Sequence, residues 1–214
     1  MIEPSISSTK SIGQLGFWSA TAAAITSVIF SVSAILDNFL LPLPFPIDQV
    51  GLYGSSLLIA PAFVLVMVCV HYYAAPEKRV WSHAGIAFAV MYAVMVSISY
   101  ISQLAVVAPH IARGELDKVA IIALQDGSFM QWIDTLGYSF MGISTLVAAP
   151  VFTSGNMQKW IRGFFIVNGI LAPFYLLAIP YPIFLIFGIW WMVVVPGGSV
   201  PSSGVNSPPM VSPY

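Results

Sequence analysis

The residues whose side chains are best suited to catalysis lie in one apolar stretch, residues 128–152, which reads SFMQWIDTLGYSFMGISTLVAAPVF. This stretch is long enough to cross a bilayer, yet it carries a carboxyl group, Asp134, about two turns from its start. A carboxyl group among apolar neighbours favours its neutral form, which donates a hydrogen bond or a proton. The stretch therefore predicts an acid inside a membrane protein, with Asp134 and Tyr138 as candidate catalytic residues.

The polar and small residues of this stretch recur every three or four positions, which places them on one face of a helix. Lipid tails offer no hydrogen bonds, and a charge in hydrocarbon costs several kcal/mol. We therefore expect this face to be turned toward other helices. Its members are Gln131, Asp134, Thr135, Tyr138, Gly142 and Thr145.

Other apolar stretches supply polar residues at a similar expected depth, near the outer face of the membrane. Tyrosine rings among them offer π faces that stabilise a cationic group. Together with Asp134 they predict a pocket for a lipid-like or isoprenoid small molecule, in which an acid would catalyse isomerisation or cyclisation. The predicted substrate-binding residues are Tyr53, Tyr100, Gln103, Gln131, Asn168 and Tyr175.

Two further interpretations stand beside this one. In the first, Asp134 hydrogen-bonds to Gln103, Asn168 or Tyr138 and only holds helices together, and the chain is a non-enzymatic accessory subunit of a larger membrane complex. In the second, the chain is a proton-coupled transporter, which requires broken helices or an internal repeat and a water path. Transport ranks last, because a single carboxyl group lies well inside a predicted span.

The composition points to a membrane protein. Of the 214 residues, 58% are hydrophobic and 7% are charged, whereas about a quarter of the residues are charged in a typical soluble domain. The net charge of −1 provides no concentrated basic face, which argues against a nucleic-acid partner. The expected partners are membrane lipids, an apolar small-molecule ligand and other membrane proteins.

The predicted fold class is all-α, a polytopic bundle of about six transmembrane helices. The spans cover about 16–36, 50–73, 82–107, 128–152, 160–179 and 181–195, within one transmembrane domain of residues 1–196. The last span is short, and a re-entrant hairpin also fits it. Residues 197–214, rich in Pro, Ser and Gly, are predicted to form a disordered tail.

The distribution of Lys and Arg predicts that both termini are cytoplasmic. With the N-terminus inside, the outer side holds only Arg113 and Lys118. The inner side holds Lys10, Lys78, Arg79, Lys159 and Arg162. The first apolar run is longer than a secretory signal core, so we expect a retained first span.

The two outer connections are too apolar for ordinary solvated loops. Residues 37–50 carry prolines at alternate positions and are expected to form an interfacial connector or a lid over a pocket. Residues 115–127 are expected to form a short amphipathic helix on the membrane surface.

No metal or cofactor site is predicted. His71 and His83 stand at the ends of adjacent spans, but their surroundings show no recognised ligand spacing. Cys69 is the single cysteine of the chain, so no intrachain disulfide can form.

Overall fold

The computed structural model describes residues 6–41 and 43–181, and all regular structure within these residues is helical. The predicted all-α fold is confirmed for this part of the chain. The predicted tail, and all but the first residue of the last predicted span, lie outside the described residues. The α-helices are α1 (Ile6–Ile35), α2 (Ile47–Gln49), α3 (Ser55–Tyr73), α4 (Arg79–Ser102), α5 (Ala108–Ala112), α6 (Phe129–Ala148), α7 (Asn156–Leu171) and α8 (Phe174–Ala178).

Turns of other helix types join or extend these α-helices. The 3₁₀ turns are Pro76–Lys78, Leu116–Val119 and Ala149–Val151. The π-helical turns are Leu36–Leu40, Val50–Gly54 and Gln103–Val107. A π turn is wider than an α turn and is often found beside a functional site.

Three continuous helical segments are long and apolar enough to cross a membrane by length and composition. They are Lys10–Ile35, Ile47–Tyr73 and Pro76–Ala112, with 26, 27 and 37 residues. Large apolar side chains are exposed along them, for example Ile25 and Val28 in α1. These properties fit a membrane protein; the count of about six spans and the sides of the termini stay predictions.

Helix α6 is shorter, with 20 residues, and its polar face is packed against protein. The Thr135, Tyr138, Gly142 and Thr145 positions are buried, and Gln131 and Asp134 are half-buried. The prediction that this face turns toward other helices is confirmed. A helix whose polar side contacts protein needs fewer apolar residues than one surrounded by lipid.

The long helices pack as sequential neighbours: α1 on α3, α3 on α4, α4 on α6 and α6 on α7. Small residues bring α6 and α7 into close approach. A side chain at Gly142 would collide with Ala172, and one at Gly169 would collide with Leu146. Glycine at both positions therefore lets the two backbones meet directly.

The predicted fifth span, 160–179, is interrupted in the structure. Helix α7 begins earlier than predicted, at Asn156, and ends at Leu171, and the short helix α8 begins after Pro173. Proline lacks a backbone N–H and its ring crowds the carbonyl four residues earlier, so it ends or kinks a helix.

Neighbouring helices run in opposite directions, so the helix ends collect at two ends of the bundle. At one end, the Cys69 thiol approaches the Ile12 carbonyl and His71 contacts Ser82. This basic end holds Lys10, Lys78, Arg79, Lys159 and Arg162. The opposite, acidic end holds Asp37, Asp48, Glu115, Asp117 and Asp126, with Arg113 and Lys118 as its basic residues.

The outer connections differ in part from their predictions. Residues 37–50 are not a continuous helix, as expected, and contain the end of a π turn and the three-residue α2. Residues 115–127 form only the 3₁₀ turn Leu116–Val119 followed by turns, not the expected amphipathic helix. The reason is tertiary: the Gln103 side chain, in the π turn that follows α4, bonds to the backbone of this connection.

Candidate functional site

A column of aromatic rings runs inward from the acidic end between α3, α4 and α6. The Tyr53 ring stacks on Tyr100 with ring centres 5.7 Å apart. The Tyr100 and Tyr138 hydroxyl groups share a hydrogen bond of 2.6 Å. The Tyr138 ring lies 5.7 Å from that of Tyr92, which meets Phe63 edge to face at 5.6 Å.

Asp134 lies beside this column in the second turn of α6, and Tyr100 is a side-chain hydrogen-bond partner of its carboxyl group. The carboxyl group also acts electrostatically on Tyr53 and Tyr92. We call Asp134 with Tyr53, Tyr92, Tyr100 and Tyr138 the Asp134 cluster. The structure thus brings together four residues that the sequence predicted for the site: Asp134, Tyr138, Tyr100 and Tyr53.

Two polar atoms of the Asp134 cluster are buried without a hydrogen-bond partner among the described residues. They are the Oδ1 atom of Asp134 and the hydroxyl oxygen of Tyr92. The Tyr92 side chain is 0% exposed, and the apolar residues Ala60, Val96 and Met141 pack around the same column. Buried polar atoms in proteins are nearly always paired, and each unpaired one costs about 1–3 kcal/mol. The cluster therefore retains free hydrogen-bonding capacity.

The outer edge of the Asp134 cluster is strongly acidic. The Tyr53 side chain lies within electrostatic range of three carboxyl groups, those of Asp134, Asp48 and Asp37. Asp48 resembles Asp134 in having a buried Oδ1 atom with no hydrogen-bond partner among the described residues. Its Oδ2 atom accepts a hydrogen bond from Gln49 Nε2 at 2.8 Å, and Asp37 Oδ1 accepts one from the Leu43 N–H at 3.2 Å.

Each π turn carries or adjoins a residue of this region. Asp37 lies in Leu36–Leu40, Tyr53 in Val50–Gly54, and Gln103 begins Gln103–Val107. An extra residue in a turn rotates the side chains beyond it relative to a regular α-helix. The widened turns therefore set the directions in which these side chains enter the acidic end.

Gln103 uses its amide group to hold the second outer connection. Its Nε2 atom donates to the Ile122 carbonyl at 2.7 Å, and its Oε1 atom accepts from the Leu124 N–H at 3.0 Å. Leu124 in turn packs against the apolar core of the tyrosine column. Gln103 thus holds the second outer connection against the end of α4, and we call these two bonds the Gln103 clamp. A substrate-binding role for Gln103 stays a prediction.

Gln131 caps the start of α6. The Ser128 Oγ atom accepts from the Gln131 N–H at 3.1 Å, and the Gln131 Oε1 atom accepts from the Gly127 N–H at 2.7 Å. Such reciprocal bonds satisfy donors that the first helical turn leaves free. These bonds fix the residue at which α6 begins and therefore the position of Asp134 along the helix. Ligand binding by Gln131 stays a prediction.

Asn168 lies away from Asp134 rather than at similar depth. Its Nδ2 atom donates to Thr145 Oγ1 at 2.9 Å, where α6 and α7 approach closely. Thr145 is about 16 Å from Asp134 along the helix axis at the usual rise per residue. The sequence predicted Asn168 at the depth of Asp134, because residue spacing within one helix does not determine its register against the next helix. Tyr175 belongs to α8, and its binding role stays a prediction.

The histidines form a separate pair at the basic end. The His71 Nδ1 atom lies 2.8 Å from Ser82 Oγ, and the His71 and His83 ring centres are 4.0 Å apart. Among the described residues, no group of three or more His, Cys, Asp or Glu side chains is placed to hold a metal ion.

Tyr92 is the member of the cluster that the sequence analysis missed. It lies eight residues before Tyr100, two helical turns away, with Val96 between them on the same face of α4. Tyr92, Val96 and Tyr100 are all buried. This spacing from Tyr100 is the signal that would have found it.

The arrangement combines a shielded carboxyl group, four tyrosine rings and an acidic rim. Asp134 Oδ1 and Tyr92 Oη, which have no partner among the described residues, can form hydrogen bonds to a ligand. The Tyr53 ring adds an aromatic face in an apolar setting. No family model, no curated protein and no solved structure matches the chain.

Proposed function

We propose that this chain is a multi-pass membrane protein that binds a lipid-like or isoprenoid small molecule at the Asp134 cluster. The observation that carries the proposal is a pair of buried polar atoms in the aromatic column, Asp134 Oδ1 and Tyr92 Oη, which lack a hydrogen-bond partner among the described residues. A ligand with one polar group and an apolar body would complete both hydrogen bonds and lie against the half-buried Tyr53 ring.

The proposed membrane arrangement has six crossings. Helix α6 spans about 30 Å at 1.5 Å per residue, which matches the hydrocarbon thickness. Its polar face meets α4 and α7, so lipid would contact only its other side. Helices α7 and α8 together would form the fifth crossing, and the predicted sixth lies outside the described residues.

The proposed orientation places the basic end in the cytoplasm. Five of the seven Lys and Arg residues are at that end, in keeping with the positive-inside tendency of short loops. Exposed tryptophans at the basic end, Trp18, Trp81 and Trp160, are suited to a membrane interface, and exposed Trp132 lies at the acidic end. Both termini would then be cytoplasmic and the Asp134 cluster would open toward the outer leaflet.

Cysteine labelling tests the orientation. The changes Glu77→Cys at the basic end and Asp126→Cys at the acidic end both alter exposed residues, in a Cys69→Ala background. In intact cells a membrane-impermeant maleimide should label only Asp126→Cys, and after permeabilisation it should label both. The opposite pattern would reverse the proposed orientation, and labelling of both in intact cells would contradict an odd number of crossings between them.

The same cluster is arranged for acid chemistry on a bound alkene. Asp134 in its neutral form would donate a proton, and the adjoining rings would stabilise the positive charge that develops. The resulting carbocation would then lose a proton from an adjacent carbon to the Asp134 carboxylate, directly or through the Tyr100 hydroxyl group, which forms the new C=C bond and restores the neutral acid. Binding is the primary proposal, and isomerisation or cyclisation is its catalytic extension.

Copurification tests the binding proposal. The wild-type protein, Asp134→Asn, Asp134→Ala and the control Asp126→Asn would be purified in mild detergent and their bound lipids identified by mass spectrometry. The wild type and Asp126→Asn should retain a common small molecule that both Asp134 variants lose. Equal retention in all four proteins would overturn the proposal. If Asp134→Ala unfolds more easily and no protein retains a ligand, Asp134 only pins helices and an accessory subunit is favoured.

A further inference from the structure

The acidic end carries more negative charge than its own residues neutralise. Among the described residues, the ion pairs are Arg113 with Glu115 and Lys118 with Glu115. Both basic residues of this end are thus engaged by one glutamate of the outer connection. Asp37, Asp48 and Asp134 form no ion pair with any described residue.

One aromatic side chain at the acidic end is influenced electrostatically by all three carboxyl groups. Tyr53 is within electrostatic range of Asp134, Asp48 and Asp37, and its ring stacks on Tyr100. The bonds that Asp37 and Asp48 accept come from neutral donors, a backbone N–H and the Gln49 amide. A neutral donor stabilises a carboxylate less than a charged one does.

The Asp134 cluster also holds buried polar atoms that have no hydrogen-bond partner among the described residues. Tyr92 is fully buried, its hydroxyl group has no partner in the described part of the chain, and it lies within electrostatic range of Asp134. The Oδ1 atoms of Asp134 and Asp48 are likewise buried and unpartnered. These unpartnered atoms are evidence, independent of the negative charge, that a ligand would complete hydrogen bonds at this end.

We propose that the ligand of the Asp134 cluster carries a cationic nitrogen, as an amine or quaternary ammonium head on an apolar chain. This inference rests on the proposed function and adds the class of its ligand. An anionic head would be repelled by the carboxylates of Asp37 and Asp48, whereas a cation would compensate them and lie against the Tyr53 face. A bound cation would also favour the ionised form of Asp134, which is neutral only while no charge is bound beside it. A metal ion is disfavoured because the described residues place no set of three ligands together.

The apolar part of the ligand follows from the surroundings of the cluster. Ala60, Val96 and Met141 pack on the tyrosine column, and the helices that carry it expose apolar side chains. Ala60, Val96 and Met141 are themselves buried, so a head group at Tyr53 and Asp134 would leave a chain directed along the exposed apolar side chains of these helices. A long-chain amine fits this arrangement better than a small hydrophilic amine, which would gain nothing from the apolar contacts.

Three probes with the same eighteen-carbon chain separate head-group charge from chain binding: octadecylamine, octadecyltrimethylammonium and the neutral octadecanol. Equilibrium binding of each would be measured with the full chain in lipid nanodiscs, and compared with empty nanodiscs. The variants are Asp134→Asn, which keeps the shape of the side chain, and the control Asp126→Asn in the exposed connection. A second variant, Tyr53→Leu, removes an aromatic face and retains every carboxyl group.

Both cationic probes should bind the wild type about tenfold more tightly than octadecanol does. Asp134→Asn should weaken the cationic probes by about tenfold and leave octadecanol unchanged, and Asp126→Asn should change neither. Tyr53→Leu should weaken octadecyltrimethylammonium, which donates no hydrogen bond, more than octadecylamine.

Two results would overturn the inference, and they differ in what they say of the proposed function. If octadecanol and the cationic probes bind equally to the wild type, the cationic head is wrong while binding of an apolar ligand stands. If none of the probes binds above empty nanodiscs, the cationic class and the proposed binding function fall together. Should Asp134→Asn fail to fold, the Tyr53→Leu comparison decides the inference by itself.

Discussion

The hydroxyl oxygens of Tyr100 and Tyr138 lie 2.6 Å apart and join α4 to α6 inside the bundle. Because Tyr100 is also a partner of Asp134, one side chain of α4 contacts two polar residues of α6 that lie one turn apart. This arrangement holds the carboxyl group and the aromatic column in a fixed relation before any ligand arrives.

The hydroxyl pair should be measurable as a coupling energy. Tyr100→Phe removes the bonds to Tyr138 and Asp134 and should destabilise the protein by about 1–3 kcal/mol. In a double-mutant cycle with Tyr138→Phe, the coupling should be about 0.5–1.5 kcal/mol, measured by unfolding in mixed detergent micelles. Strictly additive effects would show that the two hydroxyl groups do not interact.

The Tyr92 hydroxyl group should lower the stability of the ligand-free protein. Tyr92→Phe removes a buried polar atom that has no partner among the described residues, and should raise the free energy of unfolding by about 1 kcal/mol. The exposed Tyr72 of α3 provides the control, since Tyr72→Phe should change stability by less than about 0.5 kcal/mol. A destabilised Tyr92→Phe would mean that this hydroxyl is already bonded in the protein alone.

Glycines of α7 allow a matched test of helix packing. A Cβ at Gly169 would collide with Leu146 and lie 2.8 Å from the Gly142 carbonyl oxygen, whereas one at Gly163 would meet nothing within 4 Å. Gly169→Ala should therefore destabilise the protein by about 1–3 kcal/mol. Gly163→Ala, in the same helix, should be neutral or stabilising by up to about 1 kcal/mol. Thermal unfolding of both variants checks this, and equal effects would contradict the close approach of α6 and α7.

The clamp formed by Gln103 should govern the motion of the second outer connection. Gln103→Ala removes the bonds to Ile122 and Leu124 and should speed hydrogen exchange of the Leu124 amide by about tenfold or more. The neighbouring Ser102 bonds only within its own helix, to Ile98, so Ser102→Ala should leave that rate unchanged. Unchanged exchange in Gln103→Ala would show that packing of Leu124 alone holds the connection.

Glu115 should make the same connection sensitive to acid. Hydrogen bonds from Lys118 and then Arg113 lower the pKa of the Glu115 carboxyl below its ordinary value of 4.5. Because the folded pKa is lowered, the stabilisation is complete at pH values above the ordinary pKa and is lost as pH falls through the lowered one.

Backbone relaxation of residues 114–119 should therefore report more motion at about pH 3 than at neutral pH. The pairs are solvent-exposed, so the effect should be small and should weaken further in high salt. Glu115→Gln should abolish the pH response. The same response in that variant would assign it to another group.

The sequence predicted the polar face of α6 correctly, because helical periodicity follows from residue spacing alone. Gly142 and Thr145 are buried as that spacing requires, and Tyr138 contacts Tyr100 on the neighbouring helix. The all-helical character of the described residues follows equally from composition and from the scarcity of charge. Both conclusions depend on local properties of the chain.

Relations between helices were harder to predict. Asn168 was expected near Asp134, but it lies beside Thr145 because contacts among Gly142, Gly169 and Ala172 set the register of α7. Tyr92 was missed, although its spacing from Tyr100 placed both on one face. The π turns were not predicted either, since no residue type marks them.

The widened turns at the acidic end bear on how such a site arises. Asp37, Tyr53 and Gln103 each lie in a turn that departs from regular α geometry. Removing one residue from such a turn would swing everything beyond it by about 100° around the helix axis. A single-residue deletion in one of these turns would therefore dismantle the site without replacing any of its side chains.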